Sequence, residues 1–332
     1  MNSFKNILCL VSAEDEGNID LDLAVKLANK NHANLSVVVV LEEMPLDLKL
    51  IDIFVSSKDI QANTIATHKK RLEKLVSPFI KDIDIQTKVL VGIPFIETTR
   101  EVLRNRHDIV IKTAERDGIL NSMFGSNDMH LLRKCPCPLW LVKPKSPNTF
   151  KRIIAAVDVD NSYLSEELKT RHLLNHQVLE VACSLALSES AELHIVHAWD
   201  AFGDSANRYG YYTPEDNYDI FIEEVNAYVQ EVRQTHSHNM ITLMDELANK
   251  VGRDTLDHIK PQTHLLNGSP KTNVPEFALK INAELVVMGT VARTGLPGFF
   301  IGNTAESILG KLDCSVFAVK PEGFKTPVTL ED

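Results

Sequence analysis

Gly289-Thr290-Val291-Ala292-Arg293-Thr294-Gly295-Leu296-Pro297-Gly298-Phe299-Phe300-Ile301-Gly302-Asn303-Thr304-Ala305-Glu306 decides the reading of this chain. The run follows Leu285-Val286-Val287-Met288, an apolar stretch without polar alternation, as a strand buried on both faces of a parallel sheet requires. After it, Ala305-Glu306-Ser307-Ile308-Leu309 reads as a helix. Strand, glycine-rich loop and helix start aim backbone N–H groups and the positive end of a helix dipole at one point, which suits a phosphate.

The same frame occurs earlier in worn form. Lys112-Thr113-Ala114-Glu115, nine residues and Gly125-Ser126 match Gly289-Thr290-Val291-Ala292, nine residues and Gly302-Asn303, an offset of 302 − 125 = 177. Gly92-Ile93-Pro94 answers Gly268-Ser269-Pro270 (268 − 92 = 176), and Cys137–Pro144 answers Cys314–Pro321 (314 − 137 = 177). Phe4-Lys5-Asn6-Ile7-Leu8 answers Phe150-Lys151-Arg152-Ile153-Ile154 at an offset of 146. A whole domain is therefore duplicated. The second copy is about thirty residues longer, ahead of its Gly-x-Pro, and the period far exceeds the ~20–50 residues of a solenoid repeat.

Apolar segments at 6–11, 34–41, 85–91, 108–111 and 139–143 alternate with helical patterns, and 152–157, 192–198, 263–266, 285–288 and 316–320 repeat the order. The second copy has a strongly apolar helix near 173–187, and a longer one near 221–251 is expected to break around His236-Ser237-His238-Asn239. This alternation predicts right-handed βαβ units, hence two tandem five-stranded parallel-sheet, Rossmann-like α/β domains. The expected boundaries are 1–145 and 146–322, with a solvated acidic tail at 323–332. In such sheets a ligand sits beyond the carboxyl ends of the strands, where strand order reverses. In the second copy those ends carry Asp158, Ala198, Met288 and Gly289.

Of 332 residues, 44% are hydrophobic, and no apolar run approaches the ~20 residues of a membrane span. The start, Met1-Asn2-Ser3-Phe4-Lys5, lacks the pattern of a signal peptide, so a cytoplasmic protein is expected, without membrane association. A net charge of −10 argues against nucleic-acid binding, which needs a basic surface. It leaves room for a small phosphate site built from backbone groups.

These residues resemble the universal stress protein family, in its tandem form. Its nucleotide-binding members carry Gly, two residues, Gly, nine residues, Gly and then Ser or Thr after the fourth strand, with an Asp ending the first. His130-Leu131-Leu132-Arg133-Lys134-Cys135-Pro136, Gly302-Asn303-Thr304-Ala305-Glu306 and Lys320-Pro321 add to the likeness. The resemblance implies a role in survival under stress, including oxidative or DNA-damaging stress. It implies ATP or AMP, or another phosphate-bearing small molecule, as ligand in some members. It also implies association through the fifth strands, internally as a pseudo-dimer in a tandem chain, and allows a homodimer. Carried over, it puts a nucleotide at Asp158, Ala198, Met288, Gly289, Ala292, Gly302, Asn303 and Thr304. In the first copy, Ser12, Lys112, Glu115, Gly125 and Ser126 mark a degenerate site, where Glu115 would repel a phosphate. Two departures weaken the second site: Ala292 replaces the second glycine and Asn303 the hydroxyl residue.

The glycine loop also fits a purely structural reading, and Asp158 also fits a turn-capping one. Phe299-Phe300-Ile301 reads as core or interface. Cys135-Pro136-Cys137 lacks redox or metal spacing and reads as packing. His172 and His176 are four apart on a helix but have no evident carboxylate partner in the sequence; no metal is predicted. Phosphate-binding GKS/T loops, nucleophile elbows and HExxH motifs are missing, which favours a binding module over an enzyme. The alternatives are a ligand-free scaffold acting by protein contact and a slow nucleotide hydrolase.

Overall fold

The computed structural model describes residues 4–12, 19–43, 57–81, 83–115, 124–201, 218–290 and 301–330. They form two compact units. The first is built on Asn2–Asn148 with Ser315–Asp332, the second on Thr149–Gly295 with Gly302–Cys314.

The first unit runs β1 (Asn6–Leu10), α1 (Ile19–Asn31), β2 (Asn34–Leu41), α2 (Ser57–Val76), β3 (Ile85–Val91), α3 (Pro94–Asn105), β4 (Ile109–Thr113), α4 (Ser126–Lys134) and β5 (Leu139–Val142). Its sheet has the order β3-β2-β1-β4-β5, all parallel. One more strand joins it from the end of the chain, β10 (Ser315–Val319), which pairs antiparallel with β5 through Val316↔Leu141, Phe317↔Trp140 and Ala318↔Leu139. The fifth strands of the two sequence repeats therefore meet inside one unit. Phe317 is fully buried there, 5.5 Å from the Trp140 ring.

The second unit contains β6 (Arg152–Ala156), α5 (Ser165–Glu189), β7 (Glu192–Trp199), α6 (Tyr218–Val251), α7 (Arg253–Ile259), β8 (Gln262–Asn267), α8 (Pro270–Lys280), β9 (Leu285–Gly289) and α9 (Asn303–Leu309). Its parallel order is β9-β6-β7-β8. In both units the first strand lies between the second and the fourth, so strand order reverses beside it and opens a crevice at the carboxyl ends.

Local chemistry accounts for these elements. Ile7, Leu8, Cys9, Ile109, Val110 and Ile111 are fully buried, as the central strands of a covered parallel sheet must be. Each Gly-x-Pro works as a strand-to-helix corner. Gly92 and Gly268 take φ of 141° and 117°, which a Cβ would strain, and the prolines open α3 and α8 at positions where no N–H is needed. The corners are tied alike, Gly92 N–H to Leu41 O and Gly268 N–H to Trp199 O.

One expectation is corrected. α6 runs unbroken through His236–Asn239. His236 Nδ1 meets His197 Nε2 at 3.0 Å and Asn239 Nδ2 donates to Val159 O, so these polar side chains bond to neighbouring elements rather than competing for their own helix backbone. In the tail, Thr329 and Leu330 are exposed, and Thr329 O accepts a hydrogen bond from Arg100 Nε on α3. Glu331 and Asp332 lie outside the described residues.

Candidate functional site

In the first unit the crevice holds its own ions. Asp128, in the first turn of α4, is fully buried, and its carboxylate accepts hydrogen bonds from Glu115 N–H at 2.8 Å and Gly125 N–H at 3.3 Å. Those two amides belong to the residues that the sequence frame aligned with a phosphate loop. Lys112, at the end of β4, places Nζ 2.6 Å from Asp128 Oδ1 and 3.0 Å from Glu115 Oε1. Burial pulls the Lys112 ammonium down, yet the two carboxylates outweigh it and hold it above its usual value. Burial likewise keeps Asp128 above the ordinary carboxylate range, against the pull of Lys112. The Glu115 side chain covers Gly125 so closely that a Cβ there would stand 2.4 Å from its Oε2. Glu115 is thus a partner of Lys112 rather than an unopposed repulsive charge. Ser12 and Ser126 are exposed at the ends of β1 and α4.

In the second unit the counterparts, offset by 177, are small. Lys112 corresponds to Gly289, Glu115 to Ala292 and Asp128 to Ala305. The register Ala156↔Met288 brings Asp158, just past β6, beside Met288 and Gly289 at the end of β9, and Ala156↔Val196 brings Ala198 level with them on β7. Met288 is buried, Gly289 and Ala198 half-buried. Gly302 N–H bonds to Thr290 O at 2.9 Å, tying the start of α9 to the end of β9. The first helical bond of α9 is Glu306 N–H to Gly302 O, so the amides of Asn303, Thr304 and Ala305 precede it and have no intrahelical acceptor. Asn303 and Thr304 are exposed. A Cβ on Gly302 would meet, among the described residues, only Thr290 O at 3.9 Å. Ala292 and Phe299-Phe300 lie outside the described residues; Ile301 is buried.

Two predicted site residues have intramolecular partners that the sequence did not reveal. Asp158 Oδ2 is ion-paired with Arg171 of α5, whose guanidinium stacks on Tyr163 at 3.6 Å, and Asp158 Oδ1 accepts from Asp160 N–H. Asn175 clamps the Asp158 backbone from both sides, its Oδ1 accepting from the N–H and its Nδ2 donating to the C=O. Burial pushes the Tyr163 phenol up to about 12, and Asp158 adds to the shift. Gly289 is overlain by Leu174, whose Cδ2 would stand 2.3 Å from an added Cβ. Glycine is therefore needed here for close helix–strand packing. Gly289→Ala is expected to cost about 1–3 kcal/mol by overpacking. Urea midpoints should show that penalty shrinking when Leu174 is first shortened to Val.

Beside Asp158 a cleft of about 370 Å³ opens between α5 and α6, reaching Asp160, His172, His238 and Glu246. The Cys135 and Cys137 sulfurs are 3.6 Å apart and buried, and all five cysteines are buried and outside any disulfide. Lys320 Nζ donates to Leu132 O in the last turn of α4, and burial lowers its ammonium to about 8. No helix among the described residues is long and apolar enough to cross a membrane.

Comparison with known proteins places both repeats. The model of the universal stress protein family matches residues 3–143 and 149–320. A universal stress protein E homolog of Haemophilus influenzae is 30% identical over 328 residues, spanning 96% of this chain and 98% of that protein. Universal stress protein E of Escherichia coli K12 is 31% identical over 245 residues, 72% of this chain and 69% of its own. A crystal structure of a universal stress protein from Archaeoglobus fulgidus superposes with a TM-score of 0.60 at 16% identity, over 95% of this chain and 98% of that one.

Proposed function

From the premise that the chain belongs to the universal stress protein family, we propose that its second unit binds an adenine nucleotide, ATP or AMP, and that its first unit has lost that capacity. Family membership itself supports a stress-response role. One observation carries the proposal. In the first unit a carboxylate of the chain takes the place of a bound anion, accepting the Glu115 and Gly125 amides with Lys112 as counter-ion. In the second unit Gly289 and Ala305 stand where that lysine and aspartate would be. Among the described residues the amides of Asn303, Thr304 and Ala305 then have no internal anion, and an external phosphate supplies one. At the nucleoside end, the Asp158 carboxylate meets Arg171, Asp160 N–H and the Tyr163 phenol, three partners for two oxygens, and keeps a lone pair for a ribose hydroxyl. The reading is a binding module, with nothing in it that requires phosphoryl transfer.

The scaffold alternative draws on Leu174, which covers Gly289. Calorimetric titration of the full chain with ATP, AMP and inorganic phosphate separates the two. Saturable heat with ATP or AMP at micromolar affinity is the expected result. Silence from every nucleotide would favour the scaffold.

A further inference from the structure

The second unit brings together three groups that sequence spacing only half revealed. His172 and His176 lie one helical turn apart on α5 and share a face. Across the cleft, α6 contributes Glu246, 70 residues away from His176 in the chain. Three atoms converge: His176 Nε2 lies 3.2 Å from His172 Nε2 and 3.0 Å from Glu246 Oε2, and His172 Nε2 lies 3.5 Å from the same oxygen.

Hydrogen bonding alone serves this triangle poorly. Each neutral imidazole nitrogen is either donor or acceptor, so His176 Nε2 can offer one proton to two acceptors at most in turn. A cation at the centre satisfies all three lone pairs at once. The dimensions fit one. Zinc bonds of about 2.0–2.2 Å to imidazole and carboxylate put the ligand atoms of a tetrahedron about 3.3–3.6 Å apart; the observed edges are 3.0, 3.2 and 3.5 Å, so a bound ion needs to spread two of them by only a few tenths of an ångström. Two imidazoles with one carboxylate select zinc over calcium or magnesium, which take oxygen ligands.

We propose that His172, His176 and Glu246 form a zinc site with three protein ligands, whose fourth position opens into the cleft beside Asp158. The ion has a way in, since the His172 and Glu246 side chains are 52% and 38% exposed while His176, at 11%, anchors the site. His176 Nδ1 is buried without a hydrogen-bond partner among the described residues. A ligating histidine held by such a partner binds about 10–100-fold more tightly, so micromolar affinity is expected here. Bound zinc would join α5 to α6 and leave one coordination position for water or a small anionic ligand.

The test is titration of the chelator-stripped full chain with zinc chloride, followed by heat and by thermal midpoint, with cobalt(II) absorption reporting geometry. One equivalent should bind, raise the midpoint and give the intense visible bands of a tetrahedral cobalt site. His172→Ala, at a half-exposed position that should leave the fold intact, and Glu246→Gln should each weaken binding at least about tenfold and abolish the zinc-dependent midpoint shift. No binding by the parent would overturn the proposal. So would parental affinity in both variants, which would assign the ion to another group such as the Cys135 and Cys137 thiols.

Discussion

Lys112→Met should destabilise the protein by about 3–5 kcal/mol, the penalty for leaving one member of a buried ion pair without its partner. Asp128 is fully buried and Lys112 is 8% exposed, so water cannot replace the lost ammonium. The Asp128 carboxylate would keep its hydrogen bonds from Glu115 and Gly125 N–H but no cation. Its way out is to take up a proton. Asp128 already titrates above its ordinary value because of burial, and Lys112 is what holds it down. Removing Lys112 raises it further in the folded state alone. A carboxyl whose folded value lies above its unfolded value binds more protons when folded, so stability falls as pH rises between the two. The loss in Lys112→Met should therefore be full at neutral pH and shrink as the pH is lowered toward the ordinary aspartate range. Adding Asp128→Asn should recover most of it, since the amide oxygen still accepts one backbone N–H and no charge is buried. Urea denaturation of the three proteins at pH 7.5 and pH 5 gives the comparison. Equal loss in the single and double variants would mean that Lys112 matters for packing alone.

The ion trio also marks where sequence reading stopped short. The duplication, the buried strands and the Gly-x-Pro corners were legible because each follows from local periodicity or from backbone rules that few residues satisfy. Lys112 and Glu115 are legible as departures from a glycine loop, but a frame defined by its glycines carries no information about the first turn of the helix. Asp128, three residues past Gly125, went unread, although Ala305 in the second copy marks the contrast at the same offset of 177. Glu246 was hidden for another reason. It reaches His176 only because α6 continues through His236–Asn239, a stretch whose polar residues suggested a break until His197 and Val159 gave them partners. Arg171 and Leu174 were similarly invisible: a helix face is easily read as apolar, but which strand end it covers depends on tertiary packing.

The second large effect follows from exchanging the copies' chemistry. Ala305→Asp places in the second unit the carboxylate that occupies the first. Its position in α9, third after the Gly302 cap, is the one Asp128 holds after Gly125, and an acid there suits the helix dipole. Ala305 is buried and Gly289 offers no cation, so the variant should fold but with a lowered thermal midpoint. An internal anion would then hold the amides proposed to bind phosphate, and like charges forced together cost several kcal/mol, at least about a hundredfold in affinity. Ala305→Asn carries the same bulk without the charge and should lose far less.

Calorimetric titration of ATP into the parent, Ala305→Asp and Ala305→Asn, side by side, tests most directly whether the second crevice is an anion site left open by the loss of its own carboxylate. Saturable heat in the parent, heat retained in the asparagine variant and none in the aspartate variant is the expected result. Parental affinity in Ala305→Asp would contradict it.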